Sequence, residues 1–151
     1  MLIFGHLGIT IGIPWLMESK LKIRMNYLLI AIGSLLPDII DKPIGLIFLE
    51  NGRVFAHTLI FILILSLLGL KYRKLLYLSS ASFLHLIQDK AWIEPKTLLW
   101  PFLGTDFPRK IEFQEYVGKV VSEYNPSFSE TFIFEVAGIL ILLMFLKFRS
   151  S

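Results

Sequence analysis

No cysteine occurs anywhere in the chain. Disulfides and thiolate metal sites are therefore excluded, while the compartment is left open. Charge is also scarce. Only 18% of residues are Asp, Glu, Lys or Arg, against about 25% in a soluble domain. The formal net charge of +3 is too small to point to nucleic acid. No basic stretch precedes the first apolar run, and no small-residue cleavage site follows it, so that run reads as a retained helix rather than a signal peptide. Internal repeats and low-complexity tracts are absent as well.

Hydrocarbon is what the chain has in excess. Its 151 residues, enough for one domain, are 55% apolar, with a mean hydropathy of +0.68. The apolar residues come in five blocks: Leu2 to Met17, a second from Tyr27 that meets Pro37, Val54 to Leu70, Leu75 to Ile87, and Thr131 to Phe148. A spanning helix needs roughly 17–25 residues. The first, third and fifth blocks come close to that length. The second and fourth reach it only if their polar ends lie within protein. The expected fold is all-α: a polytopic membrane bundle of about five transmembrane helices, the second broken at Pro37. It would form a single integral membrane domain over residues 1–151.

Basic residues set the expected orientation. Lys20, Lys22 and Arg24 follow the first block, Lys71, Arg73 and Lys74 the third, and Lys147 and Arg149 end the fifth. These short connections lie on one side of a five-helix protein, and the positive-inside rule makes that side cytoplasmic. The N-terminus and the long 88–130 region are then extracytoplasmic, and the C-terminus is cytoplasmic. Within the long region, "PKTLLWPFLG" (95–104) is apolar, proline-broken and too short to span, which suggests a re-entrant or interfacial piece. Residues 109–124 carry apolar side chains at helical spacing, with charges on the other face. They predict an amphipathic helix lying on the outer surface or roofing the bundle.

All three histidines fall inside apolar blocks: His6, His57 and His85. Asp38 and Asp41 close the second block, and Asp89 follows the fourth. The charge-derived topology used none of these six, yet it brings all of them to one depth. Each has an ordinary reading alone. A single membrane histidine is commonly a hydrogen-bonded structural residue, and Asp41 with Lys42 fits a solvated turn. Together, carboxylates and imidazoles at one level in lipid call for mutual compensation, and a divalent metal supplies it. His85 and Asp89 are one helical turn apart and can reach the same ion. Zinc is favoured, with manganese or iron as alternatives, and six candidate ligands fit two ions better than one. The ligands' donor atoms are expected within about 3–5 Å of one another. Asp38 or Asp41 is the candidate general base. Arg53 is the candidate phosphate partner, with Arg109 and Lys110 behind it.

Taken in order, "FGHLGITIG", "GSLLPDIID", "RVFAHTL", "FLHLIQD" and "LLWPF" resemble the LexA-binding, inner-membrane-associated hydrolases, the YdjM-like membrane-bound metal-dependent family. The resemblance covers about residues 1–104. His6, Asp38, Arg53, His57, His85, Asp89, Trp100 and Pro101 fall on the family's motif positions. Asp41 stands one residue later than the family's second acid, and Gly52 occupies the place of a further histidine. A more distant similarity, in residue order alone, is to zinc-dependent phospholipase C and P1 nuclease. These resemblances imply a membrane-bound metal-dependent hydrolase that uses metal-activated water on a phosphoester of a lipid or lipid-linked substrate. Two rivals remain: a non-catalytic scaffold or partner-binding subunit with a structural metal, and a proton or ion transporter. A transport path would cross the bilayer, whereas the inner halves of the blocks are apolar apart from Ser66, Ser79 and Ser80.

Overall fold

A computed structural model describes residues 2–108, 112–123 and 129–149. Among these the chain is helical, with no strand. The helices are α1 (Ile3–Leu21), α2 (Tyr27–Phe48), α3 (Leu59–Lys71), α4 (Lys74–Gln88), α5 (Pro95–Leu98), α6 (Phe113–Glu123) and α7 (Glu130–Arg149). Short 3-10 turns occupy Phe55–His57 and Ala91–Ile93.

Local chemistry sets the ends. Asn26 caps α2 by accepting from Leu29 N at 3.1 Å. Thr58 caps α3 in the same way, accepting from Phe61 N. That cap cuts the third apolar block. Its first residues form the turn that carries His57, and α3 keeps only 13 residues. At 1.5 Å per residue this is about 20 Å, short of the ~30 Å hydrocarbon core.

The expected break at Pro37 does not occur. α2 runs through both Pro37 and Pro43 for 22 residues. Pro37 has no N–H to give to the carbonyl of Gly33, one turn back. Ser82 of α4 supplies the missing donor, with its Oγ 2.9 Å from Gly33 O. A neighbouring hydroxyl of this kind lets a proline sit inside a buried helix.

α4 packs against both α2 and α3, and α1 packs against α2 and α7. The α1–α7 contact is backbone on backbone. A Cβ on Gly138 would lie 2.1 Å from Phe4 O, and one on Gly8 would lie 2.2 Å from Gly138 O. Small residues permit such approaches between apolar helices, where packing rather than water exclusion drives association. Glu135 of α7, only 4% exposed, accepts from Phe4 N at 3.1 Å and Gly5 N at 2.7 Å. It satisfies amides that α1 cannot pair itself and places negative charge at the positive end of that helix.

The burial pattern is inside out. Most of the largest fully buried side chains are polar, with His6, His57, His85, Asn51, Thr10, Thr58 and Asp41 first among them. Large apolar side chains face outward on several helices, such as Leu28, Phe48, Leu67 and Leu140. Among the described residues, one helix is long and apolar enough to cross a membrane by length and composition: α7, with a mean hydropathy of 2.2. The apolar stretches Ile3–Glu18 and Leu59–Lys71 are shorter.

In the long region, residues 95–104 form the four-residue α5 and a run of turns, and Phe102 is 82% exposed. The amphipathic helix is present as α6. Arg109, Lys110 and the expected end at Tyr124 lie outside the described residues.

Candidate metal centre

Three helices and one turn bring the polar residues to one place. α1 contributes His6, α2 Asp38 and Asp41, the 3-10 turn His57, and α4 His85, with Asp89 at its C-terminal cap. Asp38, His57, His85 and Asp89 each offer a donor atom, and these atoms lie within 4.8 Å of one another.

The spacing is informative. His57 Nε2 and His85 Nε2 are 3.4 Å apart. Asp38 Oδ1 stands 3.6 Å from the first and 3.7 Å from the second. Asp89 Oδ2 stands 3.9 and 3.8 Å from the same two atoms. Bonds of about 2.0–2.2 Å around a tetrahedral ion put donors roughly 3.3–3.6 Å apart. The quartet is therefore near coordination spacing and mostly too wide for direct hydrogen bonding.

The other ring nitrogens explain why the Nε2 atoms converge. His85 Nδ1 lies 2.7 Å from the carbonyl of Ser34, and His57 Nδ1 lies 2.7 Å from Asp41 Oδ2. Each contact fixes the ring and favours the tautomer that leaves Nε2 with its lone pair inward. This is how ligating imidazoles are held by outer partners. The donor set, the tautomers and the distances all fit a divalent metal.

His6 was expected among the ligands and stands beside the quartet instead. Its ring stacks on His85 at 4.0 Å. Its Nε2 lies 3.1 Å from Asp89 Oδ1, but neither ring nitrogen has a hydrogen bond of acceptable geometry, although the residue is 1% exposed. The two oxygens of Asp89 thus diverge, one toward His6 and one toward the quartet. A buried imidazole with so little hydrogen bonding is costly, and a nitrogen of this kind could serve an ion shared through Asp89.

Asp41, the other candidate base, is turned toward the backbone. Its carboxylate accepts from Val54 N, Ala56 N and His57 N at 2.8, 2.8 and 3.0 Å, besides facing His57 Nδ1. It is 1% exposed. With both oxygens engaged, it holds the His57 turn.

Arg53 does reach the site. Its guanidinium lies 2.8 Å from Asp89 Oδ2 and 3.0 Å from Glu94 Oε1. Two residues that sequence reasoning passed over also stand here. Lys42, which fits a solvated turn by sequence, places Nζ 2.5 Å from Asp38 Oδ2. Glu135 anchors the end of α1 beside His6. As an acid inside an apolar block, it carried the same signal that singled out the histidines. A cavity of about 360 Å³ opens onto Asp38, Asp89, Lys42 and Arg53, and α6 covers it with Tyr116, Lys119, Val120 and Glu123.

Residues 1–150 match the family described as YdjM inner membrane protein. The chain belongs to that family. Its membrane location follows from the family and agrees with the apolar α7. No curated protein and no solved structure matches the chain.

Proposed function

We propose that this YdjM family member is a multi-pass, metal-dependent hydrolase acting on a phosphoester of a lipid or lipid-linked substrate. The observation that carries the proposal is the convergence of two Nε2 atoms and two carboxylate oxygens beneath an open cavity. Asp38, His57, His85 and Asp89 would hold the ion, with His6 available to a second one. Bound there, a divalent metal supplies Lewis acidity and lowers the pKa of a water toward ~7. The chain's own groups do the rest. Asp41 and the Ser34 carbonyl orient the imidazoles, the lipid-facing apolar shell excludes bulk water, and Arg53 offers a planar fork to substrate oxygens.

Outward-facing apolar side chains on α1, α2, α3 and α7 support multi-pass insertion, since soluble surfaces rarely expose such area. The basic connections support an extracytoplasmic site.

One observation favours a second reading. Four protein donors complete a tetrahedral zinc shell, as in structural sites. A five- or six-coordinate ion would keep positions free, and the cavity above the quartet serves no purpose for a purely structural metal. The experiment is metal analysis of detergent-purified protein, followed by turnover of a lipid phosphoester panel with and without chelator. Stoichiometric metal with chelator-sensitive turnover supports the hydrolase. Metal that raises the melting temperature without any turnover supports the scaffold.

A further inference from the structure

The cavity above the quartet carries a charge imbalance. Lys42, Arg53 and Lys119 face Asp38, Asp89, Glu94 and Glu123, three cations against four carboxylates. Lys42 leans on Asp38 at 2.5 Å and approaches the Tyr116 ring, 5.8 Å from its centroid. Arg53 is divided between Asp89 and Glu94. As it stands, the lining has one carboxylate in excess and its cations Lys42 and Arg53 are engaged by acids, which disfavours an anion. A single divalent ion among the donors reverses the sign, because the charge of Asp38 and Asp89 is then committed to it. Lys42, and the Arg53 donor that leaned on Asp89, become available to another partner, while Arg53 keeps its pair with Glu94.

We infer that Lys42, Arg53 and Lys119 form an oxyanion site that accepts a phosphate-type group only when the centre holds its metal. This rests on the metal-centre reading and extends it to Lys42 and Lys119, which lie outside the recognised motifs. Arg53 would bring the Nη2 donor that now rests on Asp89, Lys42 a point charge lining the same cavity, and Lys119 a third contact from α6. At about 360 Å³ the cavity is near the lower end of ligand-binding pockets, a size suited to a headgroup. Apolar Leu2, Ile3 and Val120 line the same space.

The test uses phenylphosphonate, an oxyanion resistant to hydrolysis, titrated calorimetrically into the full chain in detergent with and without added Zn²⁺ or Mn²⁺. Metal affinity is measured separately on each variant. Binding of phenylphosphonate is expected only after metal loading. Lys42→Gln should weaken it about tenfold, the loss of one charge-assisted contact, while metal affinity stays the same or rises, since a cation next to a ligand carboxylate has been removed. Lys119→Gln should weaken the anion less, and Lys90→Gln, at a surface pair with Glu130, not at all. Competition by nanodiscs of phosphatidic acid, but not of diacylglycerol, would assign the oxyanion to a lipid; competition by neither would assign it to a soluble phosphate. Metal binding with equal phenylphosphonate affinity in its absence, or with Lys42→Gln unchanged, overturns the inference and leaves the metal centre standing. No metal binding by the unsubstituted chain overturns both.

Discussion

At the residue scale, two aspartates three positions apart have opposite work. Asp38 turns one oxygen to His57 and His85, whereas Asp41 spends both on backbone amides and the far side of His57. Their substitutions should separate accordingly. Asp89→Asn and His85→Ala are expected to lower metal content and any turnover by at least about tenfold, with the protein still inserted and monodisperse, as read by metal analysis and size exclusion. Asp41→Ala leaves three buried amides without an acceptor, at about 1–3 kcal/mol each. Its expected signature is a lower melting temperature of the metal-free protein. The histidines and Asp89 were legible in the sequence because polar groups stand out in an apolar background. The role of Asp41 was not, because its partners are amides of a turn 13 to 16 residues away, and an amide leaves no mark in a sequence.

At the element scale, the helices were legible and their continuity was not. Pro37 reads as a terminator, but Ser82, far along the chain, gives the Gly33 carbonyl its donor. The third apolar block reads as one helix from Val54, but Thr58 begins α3 late and leaves His57 in a turn. Tertiary partners decided both. Helix contacts also make a paired prediction. Gly138→Ala would set a Cβ 2.1 Å from the Phe4 carbonyl. That is backbone and cannot swing aside, so α1 and α7 must part, and a lower melting temperature with faster proteolysis is expected. Gly118→Ala in α6 meets nothing within 4 Å. It should be neutral or stabilising by about 0.5–1 kcal/mol, as for glycine removed from a helix interior.

At the scale of the whole molecule, the proposed orientation is open to a direct check, because the chain has no cysteine to give background. Lys96→Cys and Lys71→Cys place single thiols at exposed positions toward opposite ends of the bundle. In intact cells the first should react with an impermeant maleimide and the second should not; the reverse pattern would invert the topology. Time also enters through α7. The carboxylate that holds the start of α1 is translated about 130 residues after the amides it receives. At roughly 5–20 residues per second, the ribosome needs on the order of ten seconds to cover that distance. During that interval the amides of Phe4 and Gly5 wait for the acceptor that they have in the folded chain. The quartet from Asp38 to Asp89 contains no residue of α7, so what the last described helix completes is the seat of α1, the helix that carries His6.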